Sequence, residues 1–311
     1  MKILLTGGSG FVGGHLLKAL HSKDLVLVGR SRVHDFTGAW FCSEIDGHTN
    51  FSDCLEGIDI VVHCAGRAHI TNENNFDPIG SYRAINCEGT ENLAKQAAVA
   101  GVKRFIFLST IKVLGEQTVP GQAFRHDDRF NPQDPYSISK VEAEVSLKLI
   151  GESYGMEIVI IRPPLVFGKG VKGNFSSLLK LARLPIPLPF GSIQNKRSFV
   201  GVENLVDLII TCISHPNAKN QTFLVSDDED LSTPGLFSRL ADAGGYNAFI
   251  FRFPLALFSV SLRVLGKSAI YDRLCGSMQV DIEYTKSQLS WAPPSKVKDC
   301  LSSCWLIDTE R

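Results

Sequence analysis

The apolar positions of this chain gather into short runs at 3–5, 25–28, 58–64, 104–109 and 157–161. Between most of them, apolar residues recur every three or four positions. Runs of that length bounded by turns predict strands. The 3.6-residue recurrence predicts helices over 11–21, 81–100 and 135–154, each closing near a glycine or a polar turn. A further strand is expected before Glu44 on a fainter pattern. Alternating strands and helices imply βαβ units and an α/β fold built on a Rossmann-type, doubly wound parallel sheet.

After 161 the texture changes. Arg162-Pro163-Pro164, then Pro185, Pro187 and Pro189, interrupt regular winding. We therefore expect a dinucleotide-binding domain over 1–162 and a smaller C-terminal substrate-binding lobe over 163–311. The strand-like 222–225 and the helices from Pro234 and near Pro254 are placed in that lobe. Residues 202–213 are open to a second placement, packed back on the first domain.

With 311 residues, 44% of them hydrophobic, the chain can bury a substantial core. Thirty-two basic residues balance thirty-two acidic ones, so no global field draws nucleic acid or an anionic membrane, and any anion site must be local. Eight cysteines occur without a secretory leader ahead of them, which implies a reduced, cytoplasmic setting. Cys300 and Cys304 are four apart but lack a second ligand pair, so they read as structural thiols and no metal is expected. The most apolar stretch, 249–265, is interrupted by Arg252, Pro254 and Arg263 and falls short of the ~20 residues that span a bilayer. It reads as a buried or surface amphipathic helix rather than a transmembrane segment.

The first strand runs into Thr6-Gly7-Gly8-Ser9-Gly10-Phe11-Val12-Gly13 and then into a helix. This is the context of a dinucleotide fingerprint, with pyrophosphate against backbone N–H groups of Gly7, Gly10, Phe11, Val12 and Gly13. The second strand ends Val28-Gly29-Arg30-Ser31-Arg32, with no acidic residue to hold a ribose 2′-hydroxyl. Arg30 and Arg32 suit a 2′-phosphate, which favours NADP(H) over NAD(H); the bland alternative is two solvated surface charges.

Tyr136 and Lys140 lie four residues apart at the start of a predicted helix and share one face. A lysine ammonium and an oxidised nicotinamide beside the phenol favour phenolate, so Tyr136 can exchange a proton with a carbinol oxygen while Lys140 holds the nicotinamide ribose. Ser109-Thr110, at the end of the 104–109 strand, offers a hydroxyl for the substrate oxygen.

In order along the chain, the glycine loop, Val62-His63-Cys64-Ala65-Gly66, Asn86-Cys87-Glu88-Gly89-Thr90, Leu108-Ser109-Thr110-Ile111-Lys112-Val113 and Tyr136-Ser137-Ile138-Ser139-Lys140 resemble the extended short-chain dehydrogenase/reductase family. The likeness covers essentially the whole chain and lies with the branch of nucleotide-sugar epimerases, dehydratases and reductases. It implies a catalytic triad of Thr110, Tyr136 and Lys140. It places Ala65, Gly66, Arg67, Asn86 and Ser109 along the cofactor, Glu44 and Ile45 beside adenine, and Pro163 at the nicotinamide; Glu44 departs from the family's usual aspartate. Lys112, Asn174, Arg197 and Arg273 become candidates for the substrate, Asn174 and Arg197 at its diphosphate. A homodimer through the 81–100 helix and the Tyr136-bearing helix is implied as well.

More narrowly, Arg162-Pro163-Pro164-Leu165-Val166-Phe167-Gly168 and Tyr271-Asp272-Arg273-Leu274-Cys275-Gly276-Ser277 are similar to bacterial surface-polysaccharide enzymes. The expectation is an NAD(P)H-dependent reductase acting at C4 of a UDP-4-keto-6-deoxy-N-acetylhexosamine. The alternatives are a UDP-hexose or N-acetylhexosamine 4-epimerase with tightly bound NAD, and a non-catalytic NADP-binding regulator. A dehydratase is disfavoured because Thr110-Ile111-Lys112 lacks the acidic residue that elimination needs.

Overall fold

The computed structural model describes residues 1–20, 24–34, 36–68, 77–119 and 121–306, with the side chain of Asn174 left out. Six parallel strands appear in chain order: β1 (Ile3–Thr6), β2 (Leu25–Gly29), β3 (Ala39–Cys42), β4 (Ile60–His63), β5 (Arg104–Leu108) and β6 (Glu157–Arg162). A seventh, Thr222–Leu224, pairs in parallel with β6 and closes the edge. The lateral order is Thr222–Leu224, β6, β5, β4, β1, β2, β3. Order reverses between β1 and β4, so a crevice opens beyond their carboxyl ends, where a doubly wound sheet binds ligands.

The sheet is buried on both faces, so its strands are continuously apolar rather than alternating. Within them, side chains nonetheless sort by parity: Ile3, Leu5, Leu25 and Leu27 enter one core, while Leu4, Val26 and Val28 enter the other. Helices Phe11–Leu20 and Val202–Ser214 cover the first core, and Thr90–Val99 and Pro135–Tyr154 the second. Residues of 202–213 share the first core with β1 and β2, and the strand at 222–224, placed by its sequence in the substrate lobe, pairs with β6 in the main sheet. Short apolar runs carry no label for the sheet they join, because that is fixed by the hydrogen-bond register Thr222↔Ile160.

The second lobe has its own core, largely aromatic, around Phe167, Phe175, Phe190, Phe199 and Phe237. It also contains two small parallel pairs, Leu165–Phe167 with Phe199–Gly201 and Pro187–Leu188 with Phe249–Ile250.

Candidate active site

The glycine loop leaves β1 through Gly7, whose φ of 76° is left-handed. A side chain there would be strained and would also meet Ala65 N at 2.7 Å. Gly13 is tighter still: a Cβ would stand 2.1 Å from the Gly7 carbonyl oxygen, so helix Phe11–Leu20 approaches β1 only because residue 13 is glycine. These glycines, with Phe11 and Val12, form one wall of a cavity of about 230 Å³ whose other wall carries Leu108, Ser109, Tyr136 and Lys140.

That second wall is held by helix Pro135–Tyr154. Asp134 caps it by accepting from Ser137 N at 2.6 Å, Ser137 Oγ accepts from Asp134 N, Pro135 occupies the first turn, and Gly155 (φ 72°) ends it. This reciprocal capping box, worth ~1 kcal/mol, fixes where the first helical turn and hence Tyr136 begins. Lys140, one turn on, is buried; its Nζ donates to Leu108 O at 3.0 Å and lies 4.3 Å from the Phe107 ring centroid. Burial pulls its pKa down to about 8.

The Tyr136 phenol is held protonated in the absence of cofactor. Burial first, then the Asp134 carboxylate, raise its phenol pKa well above the ordinary 10, and a hydrogen bond with Thr110 offsets only part of this. The resting phenol is therefore protonated, and Lys140 by itself does not lower it into the working range. Thr110 is itself anchored as the N-cap of a short 3-10 turn, Ile111–Val113. The carbonyl of Pro163 accepts from Ile111 N at 2.9 Å and ties that turn to the end of β6.

The loop after β4 forms the floor. Asn86 Oδ1 accepts from Arg67 N at 2.8 Å, while Asn86 Nδ2 donates to Arg67 O and to Ser139 Oγ, each at 3.0 Å. Asn86 sits in a π-helical segment, Ala84–Gly89, that interrupts the helix expected over 81–100 and lies between Pro78–Arg83 and Thr90–Val99. Such bulges favour functional sites because they aim one side chain out of register. Beneath the floor runs a buried chain of fixed direction. Thr90 Oγ1 donates to Asn86 O and so accepts from His63 Nε2; with the proton on Nε2, His63 Nδ1 accepts from the Thr6 hydroxyl at 2.6 Å, and Thr6 Oγ1 in turn accepts from Ala65 N. Burial, reinforced by the Lys140 charge, lowers the His63 pKa to about 3, so the ring stays neutral.

Residues 3–226 match the family model described as the NAD dependent epimerase/dehydratase family. The chain belongs to that family. A UDP-glucose 4-epimerase of Vibrio cholerae is 47% identical over 303 residues, covering 96% of this chain and 92% of that protein. The N-acetyl-alpha-D-glucosaminyl-diphospho-ditrans,octacis-undecaprenol 4-epimerase of Escherichia coli O157:H7 is 25% identical, over 94% of this chain and 91% of that protein. In fold, the chain is similar to the UDP-glucuronic acid 4-epimerase of Bacillus cereus in complex with NAD. The TM-score is 0.77 at 20% identity, with 98% and 97% of the two chains covered.

Other residues expected to act in this NAD dependent epimerase/dehydratase fold are placed as follows. Ser109 lines the cavity, but its hydroxyl donates to Glu144 Oε1 at 2.5 Å, whereas the Thr110 hydroxyl is hydrogen-bonded to the Tyr136 phenol, where a substrate oxygen would be met. Lys112 is held by Asp134 at 2.7 Å and Glu116 at 3.0 Å, so its charge is answered within the protein rather than by a diphosphate. Arg197 Nη1 donates to the carbonyls of Arg273 and Gly276, which brings the two candidate arginines together at the lobe's edge. Asn174 begins on helix Gly173–Ala182, with its side chain outside the described residues. Ile45 packs against the second core, Glu44 is exposed beside it, and Arg30 and Arg32 are exposed at the end of β2.

Sequence reasoning missed the buried pair beneath the triad. Arg162 Nη2 donates to Glu144 Oε2 at 2.6 Å, and both side chains are buried. Tyr136, Lys140 and Glu144 recur at four-residue spacing on one helical face, and that repeat was the signal available for it. Leu108, whose carbonyl orients Lys140, was named only as part of a motif.

The residues present fit a dinucleotide. Gly10 has only the Gly7 carbonyl within 4 Å of where a Cβ would stand, so the helix N-terminus on the cavity wall leaves room for a phosphate to approach closely.

Proposed function

We propose that this protein is a 4-epimerase of a UDP-hexose or UDP-N-acetylhexosamine that keeps NAD bound through the cycle. The observation that carries this reading is the convergence of Tyr136 and Lys140 on the glycine loop across one cavity, with Thr110 beside the phenol. The likeness to a 4-epimerase of nearly equal length supports it.

Bound NAD would supply the hydride acceptor and, in its oxidised form, a positive charge next to Tyr136. The raised phenol pKa then acts as a gate: the Tyr136 Oη proton leaves readily only once that charge is present. Tyr136, as phenolate, would take the proton from the sugar C4 hydroxyl as hydride leaves C4, and would give the proton back to that oxygen when, after the keto-sugar turns, hydride is restored to the opposite face of C4. Thr110 would hold the same oxygen, and Lys140, fixed by Leu108 O, the cofactor ribose. A Tyr/Lys pair brought together on the cavity wall disfavours the regulator reading. We also propose the homodimer, supported by exposed Val145, Leu149 and Tyr154 on the outer side of the catalytic helix.

NAD(H) is preferred over NADP(H) in this proposal because an epimerase consumes no reducing equivalents, so its cofactor needs no exchange with a reduced pool. The test is interconversion of UDP-glucose with UDP-galactose, and of their N-acetylamino counterparts, without added reduced cofactor. Interconversion supports the epimerase. Stoichiometric oxidation of NADPH by a UDP-4-keto-6-deoxy-N-acetylhexosamine, with no interconversion, overturns it in favour of the reductase.

A further inference from the structure

Helix Leu255–Val264 is apolar on both sides. Leu255, Phe258 and Leu262 turn toward the core of the second lobe. Leu257, Val260 and Val264, at the complementary i, i+3, i+7 spacing, are 57%, 56% and 81% exposed, and Leu265 continues their face at 66%. A helix apolar all round is ordinarily enclosed. The same lobe exposes further apolar side chains: Phe249 pairs with Pro187 in a short parallel ladder, and Phe249, Phe251, Leu184 and Ile186 in and next to those strands are exposed. Exposed apolar side chains gathered on one element mark a contact site.

Its charge says what kind. Residues 173–195 and 243–271 contain Lys180, Arg183, Arg252, Arg263 and Lys267 and no acidic residue; Asp242 and Asp272 stand just outside. In a chain whose acids and bases balance at thirty-two each, this is a local concentration of positive charge around an apolar face. We propose that this face docks the substrate lobe on the surface of an anionic lipid bilayer. Leu257, Val260, Val264 and Leu265 would enter the boundary between headgroups and acyl chains, and the basic residues would meet lipid phosphates. A second copy of the chain fits less well, since two-fold pairing of this patch sets like charges against each other. Among the described residues no helix is long and apolar enough to cross a membrane, so the attachment is peripheral. Helix Ser268–Cys275 follows directly, and the Arg197 guanidinium rests on its end at the Arg273 carbonyl, so the docked face adjoins the candidate diphosphate edge.

The test is flotation of the full chain with phosphatidylcholine vesicles with and without phosphatidylglycerol. Co-flotation is expected with phosphatidylglycerol and is expected to weaken as salt rises. The triple variant Leu257→Glu, Val260→Glu, Val264→Glu and the variant Arg263→Glu, Lys267→Glu should each lower partitioning by more than about tenfold. Both should leave the thermal midpoint and turnover of soluble sugar nucleotides unchanged, which keeps this result separate from the choice of reaction. No binding at low salt, or binding undiminished in both variants, overturns the proposal. So does dissociation of a dimer by the triple variant, which would make the face an interface between copies.

Discussion

At the scale of single residues, the site is governed by what burial does to two protons. Burial makes the Tyr136 proton harder to remove and the Lys140 proton easier to remove than in water, although Lys140 stays charged below pH 8. Tyr136→Phe removes only the hydroxyl, so we expect turnover to fall by at least about 10³-fold while NAD affinity, read by calorimetric titration, stays within about twofold. Lys140 carries a stability consequence. Its folded pKa of about 8 lies below the ordinary 10.5, so below pH 8 the ammonium is charged in both folded and unfolded chains and the full burial cost is present. As pH rises from 8 toward 10.5 the folded chain alone sheds the proton, and stability increases across that window. Lys140→Met should therefore stabilise the inactive protein by about 3 kcal/mol at pH 7. Thermal unfolding at pH 7 and pH 10 checks this, with the gap narrowing at the higher pH. A variant less stable than wild type at pH 7 would contradict it.

At the scale of elements, helix Pro135–Tyr154 joins the chemistry to the core. Tyr136 and Lys140 face the cavity, and one turn further Glu144 holds Arg162 at the end of β6. Glu144→Ala leaves a buried guanidinium without its partner and should cost about 3–5 kcal/mol in urea unfolding, whereas Glu144→Leu with Arg162→Met should recover most of that loss. Equal losses in the single and double variants would show that the pair does not act as a unit. Elements whose signal lies in consecutive residues were legible from the sequence: the glycine loop, the Tyr136 helix, and β1, β2, β4, β5 and β6. The π-segment around Asn86 was not, because its apolar spacing is indistinguishable from an α-helix until the backbone shows the extra residue per turn. The Thr6–His63–Thr90 chain was hidden too, since His63 and Thr6 are 57 positions apart and nothing local links them.

At the scale of the whole molecule, the two lobes are not two successive lengths of chain. The chain leaves the sheet at Arg162, builds part of the second lobe, and returns through Val202–Ser214 and Thr222–Leu224 before leaving again. The expected boundary at 162 mistook the first departure for the end of the domain, because prolines report that winding stops and not that it resumes. This interleaving bears on synthesis. While the chain emerges from the ribosome, β6 has an open edge until about sixty further residues have followed, and unpaired parallel edges are slow to close and apt to pair wrongly. A fragment ending at 162, with β6 unpaired, should accumulate as aggregate, whereas the full chain should be recovered soluble; comparing the two in a cell extract measures this. The order in which the polypeptide is made thus exposes an adhesive border before the segment that shields it exists, and this interval is where helper chaperones would be needed.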